Sequence, residues 1–252
     1  MISAQWIWEQ WRLVLTAMQF LTRLPAPSWV GHGPEQLDRA ARYFPLVGVG
    51  IGLLGAAVFA LVGAGLPSPV AALLSVAAMM LLTGALHEDG LADTCDGLFG
   101  AAGRDDALRI MRDSRLGTYG AAGLALSLGL RVAMVATLPT AGMALVAAHA
   151  GSRFMVVCVL ATLPYARADG TATPVAGRVG ATELAVAGLC GVLPMLLLGA
   201  RAAPALLLAG GLAWVIARWF RARLGGYTGD TLGAVQQVTE LAILLVALWH
   251  AA

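Results

Sequence analysis

The chain has 252 residues, of which 59% are hydrophobic and 12% charged, and a formal net charge of +2. Its mean hydropathy is +0.80. A water-soluble globule of this length needs more polar surface, so the chain belongs in a lipid bilayer. The small charge, with no arginine run interleaved with aromatics, excludes a nucleic-acid partner. All 16 basic residues are arginine, the side chain whose planar fork grips anions bidentately. Cys95, Cys158 and Cys190 are odd in number and widely spaced, and fit neither a disulfide framework nor a zinc site.

In chain order, residues 5–24 are apolar but interrupted by Glu9, Gln10, Arg12 and Arg23, which predicts an interfacial helix. No positive n-region or cleavage site marks a signal peptide there. Seven mostly apolar stretches follow, near 43–66, 70–86, 120–138, 142–163, 182–200, 205–219 and 232–249. Stretches of this kind cross a hydrocarbon core about 30 Å thick. The expected fold is therefore all-α: a polytopic membrane bundle of about seven transmembrane helices plus the N-terminal interfacial helix. No linker, composition shift or repeat divides it, so 1–252 reads as one domain.

Alternating spans sort the arginines onto two sides. One side receives Arg12, Arg23, Arg39 and Arg42, then Arg104, Arg109, Arg112 and Arg115 of the 87–119 loop. It also receives Arg167 and Arg178 of the 164–181 loop, and Arg218, Arg221 and Arg223. The other side holds Arg201 alone. The arginine-rich side is expected in the cytoplasm, with the C-terminus opposite.

Seven of the 14 acidic residues fall between Glu88 and Asp113, beside the second span. Asp89, Asp93 and Asp96 are spaced i, i+4, i+7, which places them within an arc of about 60° on one helix face. Like charges so placed repel. A divalent cation removes the repulsion, and Mg²⁺ suits the set because it binds through one or two carboxylates plus substrate phosphates. Gly90 and Gly97 let a bulky ligand approach the backbone. Downstream, Arg109 and Arg112 suit diphosphate oxygens, and His87 is placed to donate to a phosphate or carry a proton.

Arg131 and Arg153 lie within apolar stretches, where a charge is costly and marks function or pairing. Arg153 follows Ser152 in a run of small residues able to line a polar cavity. The glycine-rich stretch 224–233 leads into the last span and carries Asp230, either a helix cap or a group reaching the metal. Glu240, roughly two turns into that span, needs a partner, for which the intramembrane arginines are candidates.

These residues resemble a known family. The pattern covers nearly the whole chain: Phe20 to Pro25, Tyr43 to Gly48, His87 to Gly97, Met111 to Gly120, Ser152-Arg153, Tyr165-Ala166-Arg167, and Gly225 to Ala234 followed by Glu240. It is similar to cobalamin synthase, the adenosylcobinamide-GDP ribazoletransferase of vitamin B12 biosynthesis. The resemblance implies a multi-pass enzyme of the cell inner (cytoplasmic) membrane. In its reaction the 3′-hydroxyl of α-ribazole, or of its 5′-phosphate, attacks the cobinamide-bound phosphorus of adenosylcobinamide-GDP, and GMP leaves. It implies Mg²⁺ as cofactor on Asp89, Asp93 and Asp96, and Arg112 and Arg115 on the leaving GMP. The general base is Asp93 or Asp230. His87, Glu88, Arg109, Arg153 and Glu240 complete the expected substrate-binding set. Position 88 is Leu in some members, which separates Glu88 from the metal ligands.

Two rival classes fit less well. A Mg²⁺-dependent transferase acting on CDP-alcohols or prenyl diphosphates requires an Asp-Gly-x2-Ala-Arg signature or an Asn-Asp-x2-Asp box. Read from Asp89-Gly90, this chain has Asp93 where the first requires alanine and Thr94 where it requires arginine. A transporter or channel places its sites near the midplane between repeated halves, whereas these acids cluster at one edge. The expected partners are the two small-molecule substrates and membrane lipid, with room for a membrane partner or a homo-oligomer.

Overall fold

The structure, a computed structural model, describes residues 4–31, 33–167 and 179–249; Arg178 of the expected cytoplasmic set lies outside these residues. The described residues form helices and turns, with one isolated parallel bridge between Tyr165 and Tyr227. The N-terminal part comprises α1 (Ala4–Leu21), α2 (Pro34–Ala40), α3 (Phe44–Gly63) and α4 (Ser68–Thr83). The middle comprises α5 (Leu86–Gly100), α6 (Arg104–Ile110), α7 (Thr118–Thr137) and α8 (Ala141–Thr162). The chain ends with α9 (Ala181–Met195), α10 (Ala202–Leu224) and α11 (Gly229–Leu248).

The bundle is organised around α8, which is buried on nearly every side. Its neighbours reach it through small residues. A Cβ added at Gly48 of α3 would stand 2.3 Å from the His149 carbonyl oxygen, and one at Gly52 would stand 2.6 Å from the Val146 Cα. The two backbones therefore touch, which is how helices gain packing where lipid offers no hydrophobic driving force. α11 packs against both α8 and α5.

All seven apolar stretches of the sequence fall in helical regions. Among the described residues, five helical stretches are long and apolar enough to cross a bilayer, and six if the bent pair α4–α5 counts as one span. One of the five, Ala181–Leu224, runs for 44 residues and holds the fifth and sixth expected spans. The helix is broken between them at Gly199, which has a φ of +58°.

The turn from α4 into α5 positions the acidic run. Gly84 (φ +66°) and Ala85 (φ +58°) both adopt the left-handed conformation, and α5 leaves at 89° to α4. For alanine this conformation costs about 1 kcal/mol. It is held by the Ala85 amide donating to the Met80 carbonyl and by the Ala85 carbonyl accepting from the Asp89 amide, both at 2.9 Å. The 87–119 connection between spans therefore contains two helices, α5, which carries the expected aspartate spacing in helical form, and α6. At the N-terminus α1 leaves Trp6, Ile7, Trp8 and Trp11 about half exposed, as the expectation of an interfacial helix requires.

Candidate active site

α5 is helical through Asp89, Asp93 and Asp96, but the three carboxylates meet different surroundings. Asp89 is exposed, while Asp93 and Asp96 are half-buried. Asp96 points at the N-terminus of α7, whose N-cap residue Gly117 has no side chain to cap it. Its two oxygens accept the amides of Gly117 at 2.7 Å and Gly120 at 2.8 Å. Asp96 is thus a capping group supplied from another helix, which the helix dipole favours. Only glycine lets it approach so closely, since a Cβ at Gly120 would stand 2.3 Å from its Oδ2.

Asp230 reaches the same face from α11. Thr228 is the N-cap of that helix: its hydroxyl accepts the Thr231 amide at 3.3 Å, and the Thr231 hydroxyl accepts the Thr228 amide at 2.8 Å. The capping role is therefore filled by Thr228, leaving the Asp230 carboxylate to face outward from the first turn. α5 lies against this turn because position 90 is glycine; a Cβ there would stand 2.7 Å from the Asp230 carbonyl oxygen. Burial, then the charges of Asp89, Asp230 and Asp96, push the Asp93 carboxyl up to about 7, with Arg167 opposing. Burial is the first cause, and the neighbouring carboxylates add to it.

Arg167 is brought in by a short backbone pairing. The Ala166 amide donates to the Tyr227 carbonyl at 2.8 Å, and the Tyr227 amide to the Pro164 carbonyl at 3.0 Å. Gly226 permits this contact, since a Cβ there would stand 2.1 Å from the Pro164 oxygen. Arg167 then donates from Nη2 to Asp230 Oδ2 at 2.7 Å. Arg167 also lines a cavity of about 330 Å³ with Arg104, Arg109 and Arg112. Arg104 is fixed by donating to the Leu224 carbonyl at 2.8 Å and the Ala166 carbonyl at 2.7 Å. Arg109 pairs with Asp106 and is largely exposed. Arg115 is exposed too and pairs with Asp113 away from the cavity lining.

Behind this face lies a closed polar core. Arg131 donates to Glu88 at 2.9 Å, and its Nε lies 3.0 Å from a Glu240 oxygen. Gln237 accepts from Arg131 and donates to Glu88 at 3.1 Å. Gln236 donates to Ser152 at 3.1 Å and to Glu240. His149 Nδ1 stands 3.0 Å from Arg153 and 3.3 Å from Glu240. These groups, with the buried His87, surround a void of only about 10 Å³. Two glutamates and two arginines balance there. Of the expected site residues, the structure therefore brings Asp89, Asp93 and Asp230 to one face and Arg109 and Arg112 to the adjoining cavity. It places His87, Glu88, Arg153 and Glu240 inside, Asp96 against α7, and Arg115 outside.

A family model described as cobalamin-5-phosphate synthase matches residues 13–248. The chain belongs to the cobalamin-5-phosphate synthase family. A Ralstonia nicotianae protein named adenosylcobinamide-GDP ribazoletransferase is 48% identical over 249 residues, covering 95% of this chain and 96% of its own. Proteins of the same name from Leptothrix cholodnii and Shewanella putrefaciens are 47% and 45% identical. Their matches cover 93% and 95% of this chain, and 94% and 96% of their own. No solved structure matches. For this cobalamin-5-phosphate synthase family member, the matched region contains every group of the face and cavity.

Reading single residues leaves several of these groups out. Arg104 and Arg167 look like positive-inside anchors, although the glycines at 225 and 226 signal the tight contact that recruits them. His149, Gln236 and Gln237 were visible as polar groups in apolar spans, and Gln236, Gln237 and Glu240 share one stripe of α11.

Proposed function

We propose that this chain is a Mg²⁺-dependent membrane transferase that joins adenosylcobinamide-GDP to α-ribazole, or to its 5′-phosphate, and releases GMP, the last stage of nucleotide-loop assembly in cobalamin biosynthesis. Its helices cross the cytoplasmic membrane, and the carboxylate face and arginine cavity open to the cytoplasm. The observation that carries the reading is the Arg167–Asp230 contact, which joins the carboxylate face to the arginine cavity. A diphosphate substrate needs both: cations along its oxygens and acidic groups at the reacting end.

The donor set fits a hard divalent cation, because Asp89, Asp93 and Asp230 offer only oxygen. Among the described residues no three acidic, histidine or cysteine side chains close around one point, and Mg²⁺ keeps positions for water and phosphate oxygens. Asp89 and Asp93 would hold the ion, with Asp230 beside them. Bound there, it would neutralise charge on the diphosphate oxygens.

The chain's own residues do the rest. Arg104 and Arg167, each already anchored, offer fixed charge to the diphosphate, and Arg109 and Arg112 close from the exposed side on the departing GMP. The 3′-hydroxyl of α-ribazole forms the new bond to the cobinamide-bound phosphorus. Its proton passes to a carboxylate oxygen of Asp93 or Asp230. The bond from that phosphorus to the bridging oxygen breaks, and GMP leaves with the electron pair. Glu88, Arg131, Arg153 and Glu240 act from behind by fixing α5 against α8 and α11.

The test is GMP release from adenosylcobinamide-GDP by the purified chain. Release that requires both α-ribazole and Mg²⁺, and is lost in Asp93→Asn, supports the reading. Release that persists without α-ribazole, or full turnover by Asp89→Asn and Asp93→Asn, overturns it.

A further inference from the structure

The arginines at the end of α10 divide by direction. Arg223 turns inward and donates to the carbonyls of Leu98 at 3.3 Å and Ala101 at 3.1 Å, at the end of α5. Arg218 and Arg221 are exposed and stand at one end of a groove of about 520 Å³ between α8 and α10. The groove exists because α10 offers Gly210, Ala213 and Ala217 where larger side chains would fill the space, with Phe154 and Met155 of α8 opposite. Trp214, 63% exposed, stands on its edge, and the Arg218 guanidinium lies 5.2 Å from the indole centre. Among the described residues, no acidic side chain lines the groove.

We propose that this groove binds one anionic glycerophospholipid, with its phosphate on Arg218 and Arg221 and one acyl chain along Gly210 and Ala213. The inference rests on the reading that α8 and α10 lie in a bilayer. Charge complementarity selects the occupant, since two arginines at the end of an otherwise apolar channel match a lipid with an anionic head and a hydrocarbon tail. Guanidinium forks hold phosphate oxygens bidentately. The length agrees as well: Gly210 to Arg221 spans about 16 Å of helix, close to the roughly 15 Å of hydrocarbon in one leaflet. The tryptophan and arginines lie together at the polar end, as at a membrane boundary.

The probe is phosphatidylglycerol, with phosphatidylcholine for comparison, added to the purified full chain in detergent and followed by native mass spectrometry and thermal melting. The wild-type chain is expected to retain one phosphatidylglycerol under activation that strips phosphatidylcholine, and to melt higher with it. Arg218→Ala/Arg221→Ala should bind it about 30-fold more weakly, at roughly fivefold per arginine. Gly210→Leu should lose it with both arginines intact, and inorganic phosphate should not compete. Equal retention by the wild type and the arginine variant overturns the proposal, even if Gly210→Leu does not fold. Efficient disulfide crosslinking of Trp214→Cys between two chains in phosphatidylglycerol-containing membranes also overturns it, because the groove would then face a second copy. Retention of the chain in carbonate-washed membranes reports bilayer insertion separately, so failure of that reading is distinguished from failure of this one.

Discussion

Arg167 donates to Asp230 across 63 positions of sequence, at 2.7 Å, and this contact joins the carboxylate face to the arginine cavity. Its Nε is buried and has no hydrogen-bond partner among the described residues, so a bound phosphate oxygen would complete it. Arg167→Ala is expected to lower kcat/KM for adenosylcobinamide-GDP by about 100-fold or more, the scale of a lost charge-stabilising group. Arg167→Lys should recover part of this, because it restores charge without the fork. Unchanged kinetics in Arg167→Ala would remove the arginine from the site.

Asp96 separates capping from metal binding. Asp96→Ala leaves two amides of α7 without acceptors and should destabilise the chain by about 1–2 kcal/mol, seen as a fall of several degrees in melting temperature. Asp96→Asn keeps one acceptor, so most of the stability and Mg²⁺-dependent turnover should survive. Asp89→Asn should show the opposite pattern, with melting unchanged and Mg²⁺ dependence weakened. If Asp96→Asn weakened Mg²⁺ activation at an unchanged melting temperature, the carboxylate would belong to the metal.

The helices and the acidic face are legible in the sequence because both are local. Apolar length predicts a span, and the spacing of Asp89, Asp93 and Asp96 predicts a shared face. The destination of each carboxylate is not local. Whether Asp96 faces solvent or α7 depends on how closely two helices approach, which Gly117 and Gly120 decide. α5 itself is too polar to resemble a span, so hydropathy assigns it to a connection between spans; its helix is secured by packing on α11. Arg167 and Arg104 are invisible as site residues for the same reason. Their positions follow from the pairing of 164–166 with 226–227, which no periodicity encodes.

Gly90 lies at a close approach between the acidic helix and α11. A Cβ there meets the Asp230 carbonyl oxygen at 2.7 Å, so one of the two backbones would have to shift. Gly90→Ala should therefore push Asp89 and Asp93 away from Asp230, at an overpacking cost of about 1–3 kcal/mol. Misplacement on the 1 Å scale costs around 100-fold in rate. The expected result is a kcat loss of that order in protein that still extracts and melts cooperatively. Full activity would mean that the two helices need not meet for catalysis.

The buried charges make a different prediction. Arg131 is 1% exposed and Glu240 fully buried, and Arg131 answers Glu240 at 3.0 Å and Glu88 at 2.9 Å. Removing one member strands a charge in a medium that cannot solvate it, so Arg131→Met should cost about 3–5 kcal/mol. Replacing both partners, Arg131→Met with Glu240→Leu, leaves Glu88 and Arg153 as a neutral remainder and should recover much of that loss. The coupling in a double-mutant cycle of thermal melts should then be of order 0.5–3 kcal/mol. Additive losses would show that the pair is not coupled. A Glu240→Gln variant that melted like the wild type but lost turnover would place Glu240 on the substrate instead of behind α5.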